Sequence, residues 1–227
     1  MQHLMALVRW SICLVGCTVL MCTVALPLSG RALSNSKQTQ HQGMSFEREP
    51  RDTVLVALHS VIPDLLTDVR YATADNFTGR ILYSTDTLYA RRAVADALLK
   101  AQDIARTYNL QLKIYDAYRP LSIQRLMWSI VPDERYVADP AKGSRHNRGC
   151  ALDLTLCNAQ GKELEMGTGY DEFTEKAAST YTDLPEHILN NRGLLTSIMK
   201  QAGFTVLPSE WWHFDLDGWE QFAILNE

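Results

Sequence analysis

The sequence predicts an α+β fold, in which helices pack beside a mainly antiparallel sheet. Three stretches with helical periodicity and five short stretches typical of strands are spread along the chain. Of its 227 residues, 46% are hydrophobic and 21% are charged, so the chain has room for one domain with a substantial core. The formal charge of −4 gives no sign of the basic surface that binds nucleic acid or anionic lipid.

Each expected helix has its own signal. Apolar residues recur at helical spacing from Arg91 to Tyr108. Pro120 suits the first turn of a second helix over residues 121–130. Residues 183–186 have the spacing of a capping box, which predicts the start of a third helix, and Gly203 is expected to end it.

The five expected strands are short, and Cys150 and Cys157 are expected to share the third. On an extended strand these two residues would lie about 23 Å apart, which is too far for a disulfide. We therefore expect two free, buried thiols. The strands are expected over residues 54–58, 110–115, 151–157, 204–207 and 212–216.

The first 32 residues have the pattern of a secretory leader. They contain no Asp or Glu, and only Arg9 and Arg31 are charged. An apolar run from Trp10 to Leu28 is followed by small and polar residues, so a signal peptide cleaved after Ala32 is expected. This predicts export, to the periplasm.

Two alternatives for the leader stay open. The 19 residues of the apolar run could nearly span a bilayer as a retained anchor. The segment ending at Cys17 also resembles a lipoprotein signal, with Cys17 as the lipidated residue. Residues 33–52 are expected to form a flexible tether, and residues 53–227 the catalytic domain.

Two imidazoles and two carboxylates stand where they could build a metal site. His146 and Asp153 lie close together in the sequence, and Glu210 and His213 follow further along the chain. Two histidines and a carboxylate are the ligands of catalytic zinc sites that keep one position open. A Glu outside the ligand set can then serve as the base that activates water. These residues predict a metal-dependent hydrolase.

The spacing of His146 and Asp153 requires a bend between them. Seven residues apart, they would face opposite sides of a strand or lie about 10 Å apart along a helix. Gly149 lets the chain curl, which places His146 on a loop and Asp153 on the following strand. A surface His beside a separately paired Asp is the alternative, and His213, flanked by aromatic residues, favours the metal site.

Arg119 is the expected electrostatic catalyst. It precedes Pro120, which holds its backbone extended at the end of a strand. There it could stabilise the oxyanion that forms when a carbonyl is attacked. A structural ion pair with Asp116 is the alternative.

Five segments resemble, in order, segments of the zinc D-alanyl-D-alanine dipeptidases, the metallopeptidase family that includes the vancomycin-resistance dipeptidases. The resemblance covers about residues 55–216 and implies the α+β fold of zinc D-Ala-D-Ala peptidases. The segments are Tyr71–Gly79, Asp116–Pro120, Ser144–Leu156, Met166–Gly167 with Tyr170–Asp171, and Glu210–His213.

The resemblance implies a role for each matching residue. Glu210 would be the general base and acid, and Arg119 would stabilise the tetrahedral intermediate. Tyr71 and Asp171 match positions that hold the substrate ammonium, and Ser144 matches a position near the substrate carboxylate. The ligands of one zinc ion per chain would be His146, Asp153 and His213.

Two departures from the family concern specificity. Arg145 stands where the resistance enzymes carry a small polar residue, so it could bind the substrate carboxylate or alter which C-terminal residue is accepted. The loop over residues 131–143 also looks shorter, which affects the rim of the pocket.

The expected reaction is zinc-dependent hydrolysis of the D-Ala-D-Ala dipeptide to two D-alanines, in turnover of cell-wall dipeptide outside the cytoplasm. The expected partner is this small substrate, with no nucleic acid and with membrane contact only through the leader. The nearest alternative is a zinc D,D-carboxypeptidase acting on peptidoglycan stem peptides. A more distant one is a non-catalytic zinc module that recognises the cell wall.

Overall fold

The structure is a computed structural model that describes residues 53–225. The leader expected over residues 1–32 and the tether expected over 33–52 lie outside these residues. The described chain forms three helices, α1 (Arg92–Thr107), α2 (Leu121–Ile130) and α3 (Glu186–Ala202). The strands are β1 (Leu55–Ala57), β2 (Leu66–Thr67), β3 (Tyr89–Arg91), β4 (Leu110–Asp116), β5 (Ala151–Asn158), β6 (Phe204–Val206) and β7 (His213–Leu216).

The strands form a five-stranded sheet in the order β2-β4-β5-β7-β6 and a separate pair, β1-β3. Only the β2–β4 pair is parallel, and the other pairs are antiparallel. The expected α+β class with a mainly antiparallel sheet is therefore confirmed.

The helices cover the sheet and seal its central strand. α1 and α3 contact each other, and they also contact β4 and β5, respectively. Residues 151–157 of β5 are all buried, so this strand is covered on both faces. α2 contributes Met127 to a smaller apolar cluster that also contains Tyr71, Leu82 and Val137. β5 is thus the rigid element on which a site can be built.

α2 spans the expected residues 121–130, but the way α2 and α3 are capped differs from the sequence expectation. α2 begins after Pro120, which caps the helix with an extended ψ of 142° and is not its first-turn residue. α3 likewise begins after Pro185, and no side chain caps it, so the expected capping box of residues 183–186 is absent. In both places an extended proline sets the start, because its ring fixes φ while its carbonyl still accepts the first helical hydrogen bonds.

Several other expectations hold. Gly203 ends α3 with φ of 98°, as predicted. Cys157 lies on β5 and Cys150 lies one residue before it, and both are buried free thiols. The short strands β2 and β3 were not expected, because two or three residues carry no readable periodicity. Among residues 53–225, no helix is long and apolar enough to cross a membrane.

Candidate active site

The register between β5 and β7 brings a carboxylate and an imidazole together. Asp153 on β5 lies directly opposite His213, the first residue of β7, in an antiparallel pair. Side chains of directly opposed residues project from the same face of a sheet. The two functional groups are therefore neighbours although sixty residues separate them in the sequence.

The third group reaches the same point from a tight turn. His146 begins a single 3₁₀ turn over His146–Arg148, which Gly149 ends with φ of 68°. A Cβ at Gly149 would lie 3.0 Å from the Leu55 side chain, so both the backbone conformation and the space favour glycine. The chain thus curls between His146 and Asp153, as their spacing requires.

Three acceptor atoms converge at this point. His146 Nε2 lies 3.3 Å from Asp153 Oδ1 and 3.2 Å from His213 Nδ1, and His213 Nδ1 lies 3.1 Å from Asp153 Oδ1. Three ligands at the usual zinc bond lengths of ~2.0–2.2 Å in a tetrahedron are separated by about 3.3–3.5 Å. The observed triangle is therefore close to one face of a zinc coordination sphere.

The outer hydrogen bonds fix which imidazole nitrogens face the triangle. His146 Nδ1 donates to the Ala117 carbonyl at 2.7 Å, and His213 Nε2 donates to Asp215 Oδ1 at 2.9 Å. With both rings neutral, each inner nitrogen carries a lone pair, and the buried Asp153 Oδ1 has no hydrogen-bond partner. Such outer partners are typical of metal-bound histidines, so these residues fit a divalent cation.

The charges of the cluster agree with this reading. Burial opposes ionisation of Asp153, but the nearby His146 and His213 hold its pKa well below the usual range. Burial also opposes protonation of His213, but hydrogen bonds to Asp153 and Asp215 raise its pKa to about 10. When no metal ion is bound, a proton supplies the positive charge between these groups.

Glu210 lies beside the triangle without joining it. Its Oε2 is 3.8 Å from His213 Nδ1, and 20% of its side chain remains exposed to the cavity. Burial raises its pKa, and the neighbouring Asp153 carboxylate adds to the effect, although His213 opposes it. A carboxylate with a raised pKa accepts a proton readily, as a general base must.

Arg119 is both an ion-pair partner and a cavity residue. Its Nε donates to Asp116 Oδ2 at 2.9 Å and its Nη1 donates to Gln124 Oε1 at 3.0 Å. Its Nη2 lies 3.8 Å from Asp153 Oδ2. The structural ion pair considered from the sequence is therefore present, and it fixes the guanidinium at the wall of the cavity.

Tyr71 and Asp171 form a pair on the other side of the cavity. The Tyr71 hydroxyl donates to Asp171 Oδ2 at 2.8 Å. Asp171 has φ of 57°, a left-handed conformation that is uncommon outside glycine. Burial and the charge of Asp153 raise the pKa of Asp171 well above its usual range. A cation placed beside it would stabilise its ionised form.

Ser144 and Arg145 line the cavity next to His146. The Ser144 hydroxyl accepts from the His146 backbone N–H at 3.1 Å, so it supports the turn. Arg145 stacks over Trp219 at 4.8 Å from the ring centroid, and its Nε lies 3.6 Å from Asp215 Oδ2. This Nε is buried without a hydrogen bond.

Sequence reasoning missed several supporting residues. Asp215 could have been found, because it stands two residues after His213 on a strand and therefore faces the same side. Tyr170, whose hydroxyl donates to Asp153 Oδ2 at 3.0 Å, was noted only as part of a segment. The Ala117 carbonyl and Gln124 could not be identified from the sequence, because only the fold places this backbone group and this amide at the site.

Hydrogen bonds from Arg192 and Trp211 anchor the segment that carries Tyr170 and Asp171. The buried guanidinium of Arg192 on α3 donates to the carbonyl oxygens of Met166, Lys176 and Ala178, at 2.7, 2.9 and 3.0 Å. Trp211 Nε1 also donates to the Thr168 hydroxyl at 2.7 Å. One cation therefore binds both ends of the segment. We refer to residues 166–178 as the clamped segment.

All of the candidate residues line a single cavity of about 220 Å³. The structure thus brings together every site residue expected from the sequence, and it leaves none elsewhere. Those nine residues are Tyr71, Arg119, Ser144, Arg145, His146, Asp153, Asp171, Glu210 and His213.

Comparison with known proteins adds a consistent result. A family model described as D-ala-D-ala dipeptidase matches residues 51–223, which include all nine cavity residues. The chain is 42% identical over 175 residues to the D-alanyl-D-alanine dipeptidase of Escherichia coli K12, covering 77% of this chain and 91% of that protein. It is 30% identical over 180 residues to the D-alanyl-D-alanine dipeptidase of Enterococcus faecium, covering 70% and 89%.

A solved structure of the vancomycin-resistance D,D-pentapeptidase VanY in complex with Zn(II) is also similar. Its TM-score is 0.41 at 15% sequence identity, and the match covers 61% of this chain and 78% of that chain.

Asp215→Asn should lower the pKa of His213 in protein stripped of metal by a chelator, because it removes one carboxylate that stabilises the imidazolium. Since folding raises this pKa from 6.5 to about 10, protonated His213 stabilises the fold fully below pH 6.5, and that contribution is lost as the pH rises through 10. Urea unfolding should show the free energy of unfolding falling over this range. In the variant the fall should come at lower pH.

The matched control is Asp217→Asn, which changes an exposed carboxylate that accepts a hydrogen bond from Thr205, away from the cluster. It should leave the pH profile unchanged. Identical profiles for Asp215→Asn and the wild type would contradict the role assigned to Asp215.

Proposed function

The chain belongs to the D-Ala-D-Ala dipeptidase family of zinc-dependent metallopeptidases, and from that premise we propose how its own residues cleave the dipeptide. The reaction is hydrolysis of free D-Ala-D-Ala to two molecules of D-alanine. The observation that carries the proposal is the triangle of two imidazole nitrogens and one carboxylate oxygen, 3.1–3.3 Å apart, next to a carboxylate that is not part of it.

His146, Asp153 and His213 would hold one zinc ion per chain. Their outer hydrogen bonds keep both inner imidazole nitrogens free to donate lone pairs. When bound, zinc polarises the scissile carbonyl and lowers the pKa of water from 15.7 towards ~7. The three protein ligands leave a position open for substrate, as catalytic zinc sites do and structural sites do not. This favours an enzyme over a non-catalytic zinc module.

Glu210 carries the proton. Its raised pKa suits it to take a proton from the attacking water and to return that proton to the departing amine nitrogen. Its Oε2 lies 3.8 Å from His213 Nδ1, so it can face the reacting atoms while it stays outside the ligand set.

Arg119 stabilises the negative charge that develops on the carbonyl oxygen. Asp116 and Gln124 hold its guanidinium in place before the substrate arrives, so little reorganisation is needed during the reaction. Because a buried Arg stays protonated, its charge is available at any working pH.

The zwitterionic substrate meets complementary charges on the lining of the cavity. Asp171, oriented by Tyr71, binds the free ammonium, since a desolvated cation needs a carboxylate partner. Ser144 and Arg145 lie beside the turn of His146 and bind the C-terminal carboxylate. The partly exposed side chain of Arg145 lines the cavity and supplies a positive charge for this carboxylate.

The physiological setting follows from the leader pattern. We propose that the protein is exported, that residues 1–32 are removed or anchor it, and that it recovers D-alanine from dipeptide released by the cell wall. Fractionation of cells expressing the full chain should find it outside the cytoplasm with a shortened or lipidated amino terminus. Full-length protein in the cytosol would contradict this proposal.

Purified protein should release amine from free D-Ala-D-Ala, and a chelator should abolish the activity until zinc is added back. The same dipeptide with an N-terminal acetyl group should be cleaved poorly, because it lacks the ammonium that Asp171 binds. Efficient cleavage of the acetylated dipeptide would instead indicate a D,D-carboxypeptidase. Bound zinc with no cleavage of either substrate would indicate a binding module.

Glu210→Gln should keep zinc and lose about 10²–10⁴-fold in kcat, because the proton acceptor is removed while the ligands remain. His213→Ala should lose zinc itself, since it removes one of three ligands. Metal content by atomic absorption and kcat on free dipeptide separate the two effects. The control, Glu220→Gln, changes an exposed carboxylate and should alter neither. Zinc loss in Glu210→Gln would remove Glu210 from the base role.

A further inference from the structure

The active-site cavity shares a wall with a second cavity. The adjoining cavity has a volume of about 350 Å³, larger than the 220 Å³ of the active-site cavity. Two aromatic residues, Tyr136 and Phe173, line both cavities, together with Arg135, Ser209 and Glu210. The side chains that line both spaces are what separates them.

The wall is built from rings that stack on one another. The Tyr136 and Phe173 rings stack with centroids 4.8 Å apart and planes at 29°. Phe77 meets Phe173 edge to face at 5.2 Å, and it also lines the active-site cavity. The three rings come from three different loops, so their contacts connect parts of the chain that are distant in sequence. We call Phe77, Tyr136 and Phe173 the aromatic wall.

The aromatic wall stands next to the proposed ammonium site. Phe173 is two residues from Asp171 on the clamped segment, and Phe77 contacts the Tyr71 ring at 6.2 Å. Tyr71 is the residue that orients the Asp171 carboxylate. A group attached to the substrate nitrogen at Asp171 would therefore lie close to these rings.

Contacts on both sides support the aromatic wall. Arg192 and Trp211 hold the clamped segment that carries Phe173. On the opposite loop the Arg135 guanidinium lies over the Tyr136 ring at 5.1 Å and is paired with Asp133. Displacing the stacked pair would break contacts on both sides.

Loss of the ammonium charge weakens binding of acylated substrates but does not by itself exclude them. An acylated nitrogen loses its charge but keeps one N–H that can still donate to a carboxylate such as Asp171. The lost charge weakens this hydrogen bond without making it impossible. Strict selection for a free amino terminus therefore needs a steric element in addition to the charge.

We infer that the aromatic wall is this steric element, which restricts the enzyme to free dipeptides by closing the adjoining cavity to an acyl group. The inference rests on the proposed function, because it requires the substrate nitrogen to lie at Asp171. Removing a ring of the stacked pair should join the two cavities and give the acyl group a place to lie.

The test compares free D-Ala-D-Ala with N-acetyl-D-Ala-D-Ala as substrates of the zinc-loaded wild type, Phe173→Ala and Phe173→Leu. Phe173→Ala should raise the ratio of kcat/KM for the acetylated over the free dipeptide by about tenfold or more. Phe173→Leu keeps most of the bulk and should raise it much less. Tyr136→Ala opens the wall from the other loop and should raise it as Phe173→Ala does.

Two further variants separate this effect from charge and from general loosening. Asp171→Asn removes the negative charge but keeps the aromatic wall. It should lose activity on the free dipeptide and should not gain activity on the acetylated dipeptide. Tyr108→Ala truncates an exposed ring at the end of α1 and should leave both activities unchanged. Circular dichroism establishes that each variant is folded.

The outcomes distinguish the two proposals. Suppose that the wild type cleaves the free dipeptide, but folded Phe173→Ala and Tyr136→Ala show no increase in the kcat/KM ratio. This result would overturn the role of the aromatic wall and leave the dipeptidase assignment intact. If Asp171→Asn alone raised the kcat/KM ratio as much as Phe173→Ala does, the role of the aromatic wall would also be overturned, since charge would then suffice for the selectivity. Wild type inactive on the free dipeptide would overturn the proposed function, and the wall with it.

Discussion

The site depends on one unfavourable arrangement, which is the close approach of three electron-rich atoms in a buried place. A carboxylate oxygen and two imidazole nitrogens lie within 3.3 Å of one another, at residues that are almost fully buried. Removing a carboxylate from water costs several kcal/mol unless a cation compensates it. The fold forces this approach through the β5–β7 register and the turn at Gly149. It is tolerated because a cation, either a proton or a metal ion, can lie between the atoms.

Three carboxylates of the cavity, Asp153, Asp171 and Glu210, are placed in different electrostatic environments. Two imidazoles lower the pKa of Asp153, whereas burial raises the pKa of both Glu210 and Asp171. The environment therefore divides otherwise similar groups into a ligand, a proton carrier and a partner for a cation. Because Asp153 contributes to the raised pKa of the other two, the division is a property of the cluster and not of any single residue.

The sequence allowed the fold class, the long helices and the central strand to be predicted, because these elements carry a periodicity over many residues. The turn at Gly149 was also predictable, since no regular element lets His146 and Asp153 meet. The range of α2 was predicted correctly, but its capping residue and the start of α3 were wrong, because an extended proline satisfied the first helical turn without a side-chain cap. The stacking of Tyr136 on Phe173 joins distant loops and leaves no local pattern to read.

The clamp made by Arg192 has a consequence for binding entropy. A segment whose two ends are bound by one guanidinium loses its conformational freedom when the protein folds, so little remains to be lost when a ligand arrives. A dipeptide has few atoms whose contacts could offset the entropy cost of ordering a loop. An enzyme that binds so small a molecule through a loop therefore gains most from having that loop ordered in advance, and the distance of Arg192 from the reacting atoms does not lessen its effect on affinity.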